Sequence, residues 1–227
     1  MKFLIIIQAR TGSSRIPGKV LKKVNGTTLI EFTINRLKRK VPHLPITICT
    51  SDLKDDDAIE VLCLKHGLDC FRGDHLNVAS RFYEISKAGQ FDVFVRVCAD
   101  SPMIDGELVK KLVDKWEPHL DLLTNKSPRT FPLGQSIELV NRKTYLDYYP
   151  KFNNQDDFEH VTHYFHQNLK DFSYLNLKNS SDQSKASLAI DEPSDFIKFK
   201  NFVTRYGERW IDLPFTKILE IYCEMPK

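Results

Sequence analysis

No stretch of this sequence approaches the roughly 20 consecutive apolar residues that a bilayer-crossing helix needs. The first apolar run, Phe3 to Ile7, spans five residues. That is too short for a signal-peptide core, and no small-residue cleavage site follows it. The run reads instead as a buried first strand, and no membrane partner is expected. Cysteine is scarce. Cys49, Cys63, Cys70, Cys98 and Cys223 are odd in number and form no CxxC pair. This argues against a disulfide framework or a zinc site, and for a reducing, cytoplasmic setting. An excess of charge of one sign is missing too: 33 basic and 30 acidic residues give a formal charge of +3. A nucleic-acid binder usually carries a basic patch or stripe, so none is expected as partner. Short clusters such as Lys38-Arg39-Lys40 read as the solvated end of a helix. Repeats, low-complexity tracts and linkers are also absent. The 227 residues therefore read as one domain, long enough to bury a single large core.

What is present is a strand–helix alternation. Strands are expected at Phe3–Ile7, Ile46–Thr50, Cys70–Phe71 and Val93–Val97, and helices at Leu29–Arg39, Asp56–His66, Asn77–Lys87 and Glu107–Trp116. Such alternation implies βαβ units and an α/β fold with a mostly parallel sheet. FLIII, ITICT and VFVRV are nearly all apolar, as expected where helices cover both faces. The second half is less regular. Strands are expected at Leu120–Thr124, Ser136–Val140, Phe172–Leu177 and Ser187–Ile190, and helices at Phe158–Asn168, Ser194–Tyr206 and Phe215–Tyr222, with a polar loop at Asn179–Ser184.

The most informative segment follows the first strand and runs from Gln8 to Lys19, QARTGSSRIPGK. It leaves the C-terminal end of a strand, the edge at which open α/β sheets bind ligands. Glycine lets the backbone approach a phosphate, backbone N–H groups cradle the oxygens, and Arg10, Arg15 and Lys19 supply charge. The segment fits neither the P-loop pattern nor GxGxxG, which leaves a dinucleotide oxidoreductase poorly supported. Two further strand ends carry carboxylates. Asp100 follows Val93–Val97 and Asp191 follows Ser187–Ile190. Each is either a ligand for Mg²⁺ beside phosphates or a cap of the turn or helix beyond it. Ser51 follows the second strand, where nucleotide contact and turn chemistry explain it equally well. Arg72 and Arg81 are candidates to face the base or the phosphates. His160, His163 and His166 would share one helical face. A zinc site would need further ligands, so acceptor-pocket or packing roles are preferred. Pro132 to Ser136 is a candidate shaper of the acceptor site.

Together these segments resemble the cytidylyltransferase family that includes CMP-Kdo synthetases and acylneuraminate cytidylyltransferases, most closely its spore-coat polysaccharide branch. The matching pieces are IIQARTGSSRIPGKVL, FRGDHLNVASRFYE, VRVCADSPMIDGELV, EHVTHYF and LAIDEPSDF, in family order over nearly the whole chain. The first is specific; the others gain weight from their order. The resemblance implies a Rossmann-like fold of the nucleotide-diphosphosugar transferase type and transfer of CMP from CTP to a small acceptor, with release of pyrophosphate. It also implies that Ala9, Arg10, Gly12, Ser13, Arg15 and Lys19 hold CTP, and that Asp100 and Asp191 bind Mg²⁺. Residues 1–125 would form the nucleotide-binding half, and 126–227 an acceptor-binding half through which a homodimer forms. The branch commonly has Gly-Asp-Cys-Pro and Asp-Thr-Pro where this chain has Ala99-Asp100-Ser101-Pro102 and Asp191-Glu192-Pro193. The acceptor-binding signature of the CMP-Kdo group is not recognisable. The acceptor therefore stays open, as do another nucleotide triphosphate and a non-catalytic binding role on the same scaffold.

Overall fold

A computed structural model describes residues 1–225. The first apolar run forms β1 (Phe3–Gln8). Its Ile5 and Ile7 enter the core on one face of the sheet, and Ile6 enters the core on the other. Burial on both faces is why this strand lacks polar alternation. After the basic loop comes a small hairpin, β2 (Lys23–Val24) with β3 (Thr27–Thr28). It feeds α1 (Leu29–Lys40), which starts with a reciprocal cap: the Thr28 hydroxyl accepts from Glu31 N, and the Glu31 carboxylate accepts from Thr28 N. The alternation continues through β4 (Ile46–Ser51), α2 (Asp57–Lys65), β5 (Asp69–Gly73), α3 (Val78–Ala88), β6 (Val93–Cys98) and α4 (Gly106–Asp114). Each lies within two residues of its predicted bounds at both ends.

The second half contributes β7 (Leu122–Thr124), β8 (Glu138–Asn141), α5 (Arg142–Tyr148), α6 (Gln155–Glu159), α7 (His163–Gln167), β9 (Tyr174–Asn176), α8 (Pro193–Tyr206) and α9 (Phe215–Glu224). One seven-stranded sheet runs β5-β4-β1-β6-β8-β7-β9. β8 is antiparallel to both its neighbours and the other pairings are parallel. One face carries α1, α2, α4, α8 and α9 over a larger core that mixes aliphatic side chains with an aromatic cluster around Phe32, Phe199 and Trp210. The other carries α3 and α5 to α7 over an aromatic core that includes Phe82, Phe94, Tyr145, Phe152 and Phe165. The C-terminal segment is sewn on by a buried cation. Arg36 of α1 donates to the carbonyls of Ile104, Trp210, Ile211 and Leu213, and burial pushes its guanidinium down to about 10.

Three expectations are corrected. The helix predicted over Phe158–Asn168 is two helices, α6 and α7, broken at His160–Thr162, where Val161 takes φ +53°. Val161 is wholly buried in the aromatic core and the Thr162 hydroxyl bonds Glu138, so tertiary contacts outweigh helix continuity. The strand predicted over Ser187–Ile190 is reduced to one bridge, Leu133 with Ser187. Its later backbone groups are used elsewhere: Ile190 N donates to Asp100 O, and Ile190 O accepts from Lys19 Nζ. Helix α5 falls where none was predicted; Asn141 starts it by accepting from Thr144 N.

Candidate active site

The C-terminal ends of β1, β4 and β6 meet at one edge of the sheet. The loop after β1 folds back on itself: Thr11 O accepts from Ser13 N at 2.7 Å and from Gly18 N at 2.9 Å. Gly18 sits at φ +66°, a conformation that side chains bearing Cβ rarely adopt. The turn delivers Lys19 into a buried position, where its Nζ lies 3.1 Å from Asp100 Oδ2, 3.3 Å from Asp191 Oδ1 and 2.7 Å from Ile190 O. Neither aspartate acts as the helix cap that was the alternative. Asp105 caps α4, and Glu192 is the cap residue of α8.

Beside this trio lies a cavity of about 400 Å³. Its lining includes Ala9, Arg10, Gly12, Ser13, Arg15 and Lys19 from the loop, together with Arg81, Asp100 and Asp191. Arg10 pairs with Glu159 at 2.6 Å, and Arg15 with Glu192 at 2.6 Å. Arg81 is 1% exposed and donates to the carbonyls of Asp74 and His75. The loop cations are thus spread around the rim while Lys19 stands on the floor. A second cavity of about 780 Å³, lined largely by apolar side chains such as Phe3, Leu4, Phe71 and Phe91, opens at the opposite ends of the strands. It is remote from this charged cluster.

Ser51 and Arg72 are not among the residues lining the charged cavity. Ser51 is buried, and its hydroxyl donates to Asp56 Oδ2 at 2.5 Å. Arg72 donates to Ser51 O and Leu53 O and pairs with Asp57 and Glu60. Both brace the turn between β4 and α2, one layer behind the cavity. Gln135, from the segment considered as an acceptor shaper, is buried and bonds Asp105 N and Met103 O. Gly134 keeps that segment tight against residues 188 and 189: a Cβ there would lie 2.6 Å from Leu188 C and Ala189 N.

The predicted row of three histidines is divided by the break in the helix. His160 reaches the cavity. His163 bonds Asp157 at 2.8 Å, and His166 bonds both Glu138 and Ser127. Among the described residues no group of three or more His, Cys, Asp or Glu side chains forms a metal cluster.

Gln8, Arg96 and Glu159 also line the space, although the sequence assigned none of them a role of its own. The signal for Arg96 was visible: it is a lone cation inside the apolar strand VFVRVC, facing the same way as Phe94. It donates to Gln8 Oε1 at 2.9 Å and to Glu138 Oε2 at 2.5 Å. Burial would raise the Glu138 carboxyl, but Lys126, Arg96 and His166 outweigh it and hold the group well below the usual carboxylate range.

Comparisons with known proteins agree on kinship. The sequence profile of the cytidylyltransferase family matches residues 4–213. A spore coat polysaccharide biosynthesis protein of Bacillus subtilis is 31% identical over 91% of this chain and 88% of its own length. A 3-deoxy-manno-octulosonate cytidylyltransferase of Fusobacterium nucleatum is 33% identical, over 54% of this chain and 49% of its own. Among solved structures, a cytidylyltransferase from Leptospira borgpetersenii superposes with a TM-score of 0.91 at 28% identity, over 99% of this chain and 94% of that one.

Proposed function

The chain belongs to the cytidylyltransferase family, and from that premise we propose that it transfers CMP from CTP to a sugar, sugar acid or related small acceptor, releasing pyrophosphate, in the biosynthesis of a surface polysaccharide. The observation that carries this reading is the convergence of Lys19, Asp100 and Asp191 at the mouth of the glycine-bearing loop. The triphosphate lies along residues 9–19, where loop amides, Arg10, Arg15 and Lys19 neutralise it. The acceptor enters from the side of Arg96, Glu159 and His160. Its oxygen attacks the α-phosphorus in line, the bond to the β-phosphate oxygen breaks, and pyrophosphate leaves. The protein's part is to orient the two reactants and to stabilise charge on the leaving group.

Mg²⁺ is the proposed cofactor, and the residues suit it. Asp100 and Asp191 both reach within 3.3 Å of one point, the Lys19 ammonium. Mg²⁺ takes hard oxygens, typically one or two carboxylates with phosphates and water completing the shell. Asp100 and Asp191 would hold the ion, which when bound polarises the phosphate and neutralises developing charge.

A homodimer formed through the second half is part of the proposal. The edge strand β9 there leaves Tyr174 and Leu175 exposed, and light scattering reporting the mass of a single chain would contradict it. The reaction itself is tested by incubating the protein with CTP, Mg²⁺ and pooled sugar acids, sugars and sugar phosphates, then searching for new species by mass spectrometry. A product heavier than one acceptor by a CMP group is expected. Adducts formed only with another nucleotide would keep the chemistry and overturn the base.

A further inference from the structure

Asp56 stands at the cap position of α2, yet its carboxylate makes no bond to the first turn of that helix. An aspartate in this position ordinarily accepts from the amides two or three residues on. Here all its contacts leave the helix. Oδ1 accepts from Thr11 N at 2.7 Å and Thr11 Oγ1 at 2.6 Å. Oδ2 accepts from Ser51 N at 3.2 Å and Ser51 Oγ at 2.5 Å. The side chain is 2% exposed. Burial would raise its carboxyl, but the bonds from Ser51 and Thr11 hold it below the ordinary range.

Thr11 is the residue on which the loop closes, because its carbonyl accepts from both Ser13 N and Gly18 N. A carboxylate gripping the amide and hydroxyl of Thr11 therefore fixes the two ends of the turn that presents Gly12 and Ser13. The grip is braced from behind: Arg72 holds the carbonyls of Ser51 and Leu53, on either side of the same turn. Ser51 and Arg72 thus connect to the loop through Asp56, without touching the cavity.

We propose that Asp56 is a positioning residue, the clamp that preorganises the phosphate loop for a triphosphate. The inference rests on the proposed function only in taking residues 9–19 as the phosphate site. A disordered loop must pay its ordering cost on binding, whereas a clamped one does not. Loss of the clamp should weaken ground-state and transition-state binding together, which raises KM and spares kcat.

The test compares wild type, Asp56→Asn, Thr11→Val and the double variant. The readouts are steady-state kinetics in CTP, calorimetric binding of inorganic tripolyphosphate, and melting temperature. Asp56→Asn replaces one acceptor oxygen by a donor facing donors. KM for CTP and Kd for tripolyphosphate should both rise about tenfold or more, as for a lost bond to a charged group, with kcat within about threefold. Thr11→Val removes one bond at a half-buried position and should give a smaller rise. The double variant should be no weaker than Asp56→Asn, because the two residues act through one contact. Wild-type KM and Kd in Asp56→Asn would overturn the inference while leaving the transferase intact. Additive effects in the double variant would overturn it too. A wild-type protein that binds tripolyphosphate in an Asp56-dependent way but releases no pyrophosphate would uphold the clamp and overturn the transferase. Should Asp56→Asn not fold, Thr11→Val alone decides: unchanged tripolyphosphate affinity contradicts the clamp.

Discussion

The two walls of the cavity are made in different ways. The wall formed by the loop after β1 comes from one continuous segment, residues 9–19, closed by bonds between Thr11, Ser13, Ile16, Gly18 and Lys19. The opposite wall is assembled from residues distant in sequence: Arg96 meets Glu138, 42 positions away, and Glu159 reaches across to Arg10 of the loop, 149 positions away. In the first, local turn chemistry sets the geometry. In the second, geometry follows from strand order, since β8 must lie antiparallel to β6 to bring Glu138 opposite Arg96. A continuous wall suits a ligand part common to all nucleotides, the phosphates. A wall drawn from several elements can vary piecewise, which suits the part of the reaction that differs between relatives, the acceptor.

The largest effect is expected on the floor between the walls. Asp100→Ala should remove nearly all turnover with melting unchanged, and wild-type kcat in that variant would break the assignment of this floor. Lys19→Ala should lower kcat by about 10²–10³, the usual cost of one lost electrostatic donor. An unchanged kcat/KM would remove Lys19 from the site.

On the assembled wall, Glu138→Gln leaves buried Arg96 and half-buried Lys126 without their counter-charge. Breaking such a pair costs about 3–5 kcal/mol, which in a chain of this size lowers Tm by about 6–20 °C. The pH dependence has a definite sign. The folded-state carboxyl of Glu138 is depressed. Its stabilising contribution is therefore full above the unfolded value near 4.3 and is lost as pH falls through the folded value. The acid limb of the wild-type stability profile should flatten in Glu138→Gln. A melting temperature within about 2 °C of wild type would show that this wall does not depend on the pair.

The smallest effect sharpens the division between the walls. Glu159 and Arg10 are partly exposed, so Glu159→Gln should change stability by less than about 1 kcal/mol. Its KM for the acceptor should rise more than its KM for CTP. The reverse order would exchange the roles of the two walls.

How much of this was legible follows the same division. The strands and helices of the first half have long periodic patterns, and the basic loop advertised itself by glycine, hydroxyls and cations in one stretch. Asp100 was found as a carboxylate just past a strand end. Asp191 was singled out on the same reasoning, but the segment before it forms only one bridge, and it is Ile190, bonding Asp100 O and Lys19 Nζ, that carries Asp191 to the trio. The break at His160–Thr162 was illegible because Val161 leaves helical geometry to fill a core built by α3 and α5. For Ser51 the structure favours turn chemistry, one of its two readings, and Arg72 reaches back to that turn rather than into the cavity, since sequence gives neighbours along the chain and not the direction a side chain takes. Asp56 was hidden in an acidic run, Asp55-Asp56-Asp57, in which only the fold distinguishes the residue that turns inward.

The account's central claim is tested most directly by pyrophosphate release from purified protein with Mg²⁺ and each of the four nucleoside triphosphates, against the pooled acceptors, with Asp100→Ala run in parallel. The account predicts release with CTP that depends on Mg²⁺ and on one acceptor fraction, and that is abolished in the variant. Release that persists undiminished in Asp100→Ala, or that occurs only with a different triphosphate, would contradict it.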